Sequence, residues 1–134
     1  MPYIGRIMWD VDPVHAQRGL KSFMLQVIGD LGIVLSAIPN DAATLTRGWL
    51  AGAVSDEKMK EACLEWWNTI DSNDWTRPYG SPARRARLNV FLLHIGAEDI
   101  ALTLEWFLDF LDVPASQDAI VNDCMARCFR FADR

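Results

Sequence analysis

The spacing of apolar residues along this chain predicts a succession of amphipathic helices. From Pro13 to Ile38, apolar side chains recur every three or four residues, which puts them on one face of a helix that turns about 100° per residue. Asp12 before Pro13 is a typical helix start, and Pro39 stops the pattern. We expect either one long helix over 13–38 or two helices that meet near Gly29–Gly32. The polar face opposite comprises Arg18, Lys21, Ser22, Gln26 and Asp30.

The next segments are separated by residues that start or stop helices. Asn40 can cap a short helix over 41–52, and Ser55 can cap a longer amphipathic helix that reaches about Ile70. Acidic residues in the first turn of the second helix favour its N-terminus. Residues 71–82 are rich in turn formers and are predicted to be a loop.

Three more helices are expected after this loop. Ser81-Pro82 opens one that Gly96 ends, residues 98–112 form another that Pro114 terminates, and Ser116 caps the last. No segment alternates with a period of two residues, although residues 3–9 could be either a strand or a short helix. The pattern therefore predicts an all-α fold: a single compact bundle of five to seven helices with short loops, in one domain over residues 1–134.

Composition narrows the function classes. Apolar residues make up 51% of the 134 residues, enough for a core, and the net charge of −5 argues against a general nucleic-acid binder. No apolar run is long enough to cross a membrane, and the N-terminus lacks the basic and apolar regions of a secretory signal. An odd count of three Cys does not suggest a disulfide framework. We therefore expect a cytoplasmic protein.

The Cys and His residues do not form a recognisable metal motif. Cys124 and Cys128 are four residues apart on one helix face, but a structural zinc needs four ligands. The remaining candidates, Cys63, His15 and His94, are not spaced to complete the set. We therefore expect these Cys to pack in the core, with no metal and no cofactor.

The densest basic cluster lies in the loop and at the predicted start of the helix that follows it, and comprises Arg77, Arg84, Arg85 and Arg87. Because positive charge opposes the helix dipole there, this placement needs an explanation. One interpretation is an anion-binding site, since Arg binds carboxylate and phosphate through two parallel hydrogen bonds. The other is pairing with the chain's own acids, such as Asp71 and Asp74. The candidate anion-binding residues are Arg77, Arg84 and Arg87, with His94 later on the same helix.

An acidic strip is predicted along the helix over residues 98–112. Its members, at steps of seven, four and three residues, share a narrow arc of the helix: Glu98, Glu105, Asp109 and Asp112. It is either a solvated face or a docking surface for a basic partner. The same helix is apolar around much of its circumference, so it is either central in the bundle or partly exposed at an interface. In the preceding loop, Trp75 and Tyr79 are residue types that dominate binding hot spots.

Two segments resemble small helical immunity proteins of bacterial polymorphic-toxin systems: SDEKMKEACLEWWNTID (55–71) and DIALTLEWFLDFL (99–111). The resemblance implies a protein that binds and neutralises a cognate toxin and has no catalytic centre. The acidic strip, with Trp75 and Tyr79, would then cover a basic active surface. Two alternatives remain open: a small ligand-binding or enzymatic bundle in which Arg84, Arg87 and His94 hold an anion, and a homo-oligomeric adaptor. The oligomeric state is not predicted.

Overall fold

The computed structural model describes residues 7–75, 80–96, 99–111 and 113–132. Within them the fold is all-α, as the sequence predicts. The α-helices are α1 (Pro13–Asp30), α2 (Ala42–Leu50), α3 (Asp56–Ser72), α4 (Ser81–Leu93), α5 (Ile100–Leu111) and α6 (Asp118–Cys128). A 3₁₀ turn over Ala115–Gln117 precedes α6.

Contacts group these elements into two compact units, one formed by Met1–Ile33 with Ala97–Arg134 and the other by Val34–Gly96. The first unit contains α1, α5 and α6, and the second contains α2, α3 and α4. The single-domain interpretation stays a prediction.

In the first unit, α1 packs against both α5 and α6. Phe23 is fully buried, and its ring lies 6.1 Å from that of Phe107 and 5.1 Å from that of Phe129, between ring centroids. Ile7 forms an isolated antiparallel bridge with Phe131, so the described end of residues 3–9 is extended rather than helical. Residues 3–6 lie outside the described part of the chain.

The course of α1 differs from the prediction in two ways. The helix ends at Asp30, because Gly32 adopts a φ of +67° and turns the chain, so the helix over 13–38 was wrong. No second helix begins before Ala42. In addition, Lys21 is fully buried instead of lying on a polar face. Because α1 contacts two helices at once, the part of its circumference that is buried is wider than its stripe of apolar residues.

In the second unit, α2, α3 and α4 contact one another. Ser55 caps α3 as predicted, and its side chain accepts a hydrogen bond from the Lys58 N–H. The cap of α2 is Asp41 rather than Asn40. Asn40 instead accepts a hydrogen bond from Trp66 Nε1 at 2.9 Å and donates one to the Ala62 carbonyl at 3.1 Å, which ties the start of α2 to α3.

Two other predicted caps differ. Gly80, with a φ of +87°, is the N-cap of α4, so Ser81 and Pro82 both lie inside the helix. Ser116 falls in the 3₁₀ turn, and α6 begins after it without a side-chain cap. Both differences shift a helix boundary by one or two residues and leave the helices themselves in place.

Candidate functional site

One face of α5 presents charged and aromatic side chains to solvent. The opposite side is buried, as the sequence predicts, and comprises Leu104, Phe107, Leu108 and Leu111. The exposed positions follow the i, i+3, i+4, i+7 pattern of one helical face and comprise Leu102, Glu105, Trp106 and Asp109. We call these four residues the α5 face. At about 100° per residue they fall within an arc of roughly 100°.

Trp106 is the aromatic residue of the α5 face. Its side chain is 53% exposed, and Leu102, one turn earlier, is 37% exposed. Glu105 precedes Trp106 directly, and Asp109 lies three residues after it. Asp109 also interacts with another group of the chain. The face therefore carries an exposed indole at one edge and two carboxylates toward the other, which is suited to contacting a basic, partly apolar surface.

The structure therefore brings together two of the four members of the predicted acidic strip. Glu105 and Asp109 are exposed on the same face of α5. Glu98 and Asp112 lie outside the described residues. The sequence from 88 to 126 contains no Lys or Arg, so the charge of this face is not balanced by a basic residue on α5 itself.

The predicted loop site belongs to the second unit. Asp74 has a φ of +57°, and the Trp75 N–H donates to the Ile70 carbonyl at 2.9 Å, so the chain turns back at the end of α3. Trp75 is half-buried and lines a pocket of about 220 Å³ together with Trp66. Arg77 and Tyr79 fall in the undescribed segment 76–79, so the structure gives no placement for them.

The arginines of the basic cluster that the structure describes make contacts within the protein. The Arg87 guanidinium lies 4.7 Å from the ring centroid of Trp67, a cation–π contact between α4 and α3. Arg85 Nη1 donates to the Val34 carbonyl at 2.8 Å. Arg84 is half-buried in the first turn of α4, whereas His94 is exposed immediately after its last turn. These two residues are roughly 15 Å apart along the helix axis, and the anion-binding interpretation stays a prediction.

A charged cluster that sequence reasoning missed joins α1 to α6. Asp30 Oδ2 accepts hydrogen bonds from Arg127 Nη2 at 2.8 Å and from Cys124 Sγ at 3.1 Å, and Asp30 Oδ1 accepts one from Gln26 Nε2. The Cys124 thiol and the Arg127 guanidinium hold the pKa of Asp30 below its ordinary value. The partners are 94 and 97 residues from Asp30 in the sequence, and no local pattern signals such a pairing.

This cluster links α1 to α6 through hydrogen bonds and does not supply a nucleophile. Burial and the hydrogen bond to Asp30 raise the pKa of Cys124 to about 11, so the thiol stays protonated near neutral pH. Burial also raises the pKa of Cys128. Because the thiolate is the reactive form, neither environment activates a Cys. Cys63 and Cys124 are buried, in agreement with the prediction of core packing, and Cys128 is partly buried.

A cleft of about 430 Å³ opens in the first unit, where the extended residues before α1 meet those after α6. His15 and Asp10 lie on its edge with 3.9 Å between Nδ1 and Oδ2, and both side chains are at least half exposed. A contact this long in solvent does not position a catalytic base. Across the described ranges, no group of three or more His, Cys, Asp or Glu side chains could hold a metal ion.

Comparison with protein-family models found no matching family, and comparisons with curated proteins and with solved structures found no similar protein. Among the described residues, no helix is long and apolar enough to cross a membrane.

Proposed function

We propose that this chain is a non-enzymatic protein-binding domain whose contact surface is the α5 face, and that it is an immunity protein that neutralises a cognate toxin. The observation that carries the proposal is that the exposed Trp106 shares one face of α5 with the carboxylates of Glu105 and Asp109. Trp is among the residues most enriched in the energetic centres of interfaces. Carboxylates around it would attract a basic partner and raise the association rate.

The chemistry of the partner follows from the charge of this surface. The chain carries a net charge of −5, and α5 has acidic residues without basic ones. A partner that is basic over its contact region is therefore favoured. A toxin that acts on nucleic acid needs such a region to bind phosphates, and covering it would block the toxin. The buried side of α5 keeps the helix in the core, so the α5 face is held on a rigid element.

The test is capture of the partner by the tagged full chain from its own cells, at low and at high salt. We expect one stoichiometric basic protein that Trp106→Ala and Glu105→Lys no longer retain. Truncating a central Trp costs about 2 kcal/mol or more, which is roughly a thirtyfold loss of affinity. With the purified partner, Glu105→Lys should mainly lower the association rate and its dependence on salt.

The matched controls lie on α3. Glu61 and Leu64 are also exposed and are three residues apart on one helix face. Glu61→Lys repeats the charge reversal on α3, and Leu64→Ala removes an exposed apolar side chain from the same helix. Both variants should leave capture intact. Capture that the control variants weaken as much as the α5 variants would contradict the assignment of the surface.

The immunity function has its own readout. Expression of the captured partner alone should arrest growth, and co-expression of the wild-type chain, but not of Trp106→Ala, should restore it. A partner without toxicity would leave the binding surface in place and refute the immunity function. If light scattering shows a dimer that Trp106→Ala dissociates, the α5 face pairs with a second copy and the proposal fails.

A further inference from the structure

The pocket of about 220 Å³ in the second unit is lined by residues of α3, of α4 and of the segment before α2. Its walls are mostly apolar and aromatic, and include Trp66, Trp75 and Ala86. At the rim, Val34 and Ile38 are 74% and 80% exposed, so apolar surface continues outward from the pocket. An engineered cavity of about 150 Å³ binds benzene, so this volume suits a molecule of one or two fused rings.

Asn89 contributes a polar side chain to the lining of this pocket. The residue is 1% exposed, and its Nδ2 donates to the Arg85 carbonyl one turn earlier at 3.1 Å. Its Oδ1 is buried and has no hydrogen-bond donor among the described residues. A buried acceptor without a donor is costly and calls for an explanation. A ligand that carries an N–H or O–H group would satisfy it.

Arg85 supplies the charge at the mouth of the same pocket. It lines the pocket, is exposed, and lies four residues before Asn89 on the same face of α4. Its Nη1 donates to the Val34 carbonyl, which holds the guanidinium beside the rim. The guanidinium has five N–H donors in a planar fork, so this contact leaves donors suited to a carboxylate.

We propose that this pocket binds a small aromatic carboxylic acid that has a ring N–H or O–H donor. The ring contacts Trp66 and Trp75, the donor bonds Asn89 Oδ1, and the carboxylate faces Arg85. This site shares no residue with the α5 face and does not rest on the proposed function.

The test uses the ¹⁵N-labelled full chain and four probes. Indole-3-carboxylate and 4-hydroxybenzoate each carry an N–H or O–H donor. In their counterparts, 1-methylindole-3-carboxylate and 4-methoxybenzoate, a methyl group replaces the donor hydrogen. We expect saturable shifts of the Trp66 and Trp75 side-chain N–H signals with at least one donor probe, and affinity at least tenfold weaker for its blocked counterpart. Absence of saturable shifts at millimolar probe, or equal affinity for the blocked probes, would overturn the proposal.

Variants separate the two polar contacts. Asn89→Leu should abolish the preference for the donor probe, whereas Asn68→Leu, the same change at an exposed site on α3, should preserve it. Arg85→Gln should weaken binding several-fold and remove the advantage of indole-3-carboxylate over uncharged 3-methylindole. If Asn89→Leu does not fold, the comparison of donor probes with blocked probes on the wild-type chain is sufficient to test the proposal. An unchanged preference in folded Asn89→Leu would refute the role of Asn89.

Discussion

Asn40→Ala should destabilise the second unit far more than loss of a helix cap would. Asn40 Oδ1 is the acceptor for Trp66 Nε1 at 2.9 Å, and Trp66 is 2% exposed. Asn40 Nδ2 donates to the Ala62 carbonyl at 3.1 Å and to Glu65 Oε1 at 3.3 Å. Truncation therefore leaves a buried indole N–H without its acceptor and removes two further hydrogen bonds.

The magnitude follows from these contacts. Stranding a buried donor costs about 1–3 kcal/mol, and a hydrogen bond to a helix carbonyl contributes about 1 kcal/mol. We expect Asn40→Ala to lower the free energy of unfolding by about 2–4 kcal/mol, a large part of the total stability of a typical domain. Asp41→Ala removes the cap that accepts from the Thr44 N–H at 3.1 Å and should cost about 1 kcal/mol.

The assay is urea unfolding followed by helical circular dichroism and by tryptophan fluorescence, whose coincidence tests for a two-state transition. A double-mutant cycle with Trp66→Phe isolates the contact, because Phe has no N–H to strand. The coupling between the two positions should be about 1–2 kcal/mol. If Asn40→Ala costs no more than Asp41→Ala, or if the coupling is zero, the reasoning from the buried indole is refuted.

Three further predictions concern the first unit. Because Cys124 and Arg127 lower the pKa of Asp30, its contribution to stability should be present above pH 3.8 and be lost as the pH falls further; acid titration of Asp30→Asn should lack this loss. The pKa of Cys124 is raised from 9.0 to about 11, so its contribution to stability should be full below pH 9 and be lost between pH 9 and 11. Plots of the free energy of unfolding against pH for wild type and Cys124→Ala should therefore converge in this range. Phe107→Ala should cost about 3–5 kcal/mol in urea unfolding and Trp106→Ala clearly less, since Phe107 is fully buried whereas Trp106 is 53% exposed.

Much of the fold could be predicted because helix signals are local. Asp12 and Ser55 cap the helices that they were expected to cap, since a cap needs only the residues of the first turn. The buried side of α5 follows from spacing alone. Helix ends were less predictable, because the apolar spacing continues past Gly32 although the helix does not.

Features that depend on tertiary packing could not be predicted. Lys21 is buried because two helices cover α1, and Asn40 faces Trp66 instead of capping α2. The ion pair between Asp30 and Arg127 joins residues 97 positions apart. Asn89 did leave a signal, as a polar residue within the apolar run 88–93, which is typical of a buried polar side chain. What it faces depends on how α3 and α4 pack.

The α5 face is hard to explain by folding alone. The buried side of α5 already supplies its contribution to the core, and Trp106 adds little to that core while 53% exposed. Glu105 and Asp109 lie four residues apart, where like charges on a helix repel by a few tenths of a kcal/mol. A more stable helix would place Lys or Arg among them, yet α5 contains neither. An exposed indole beside carboxylates that no Lys or Arg of α5 offsets adds little to the stability of this helix, and this is why we propose the α5 face as the surface for a basic protein partner.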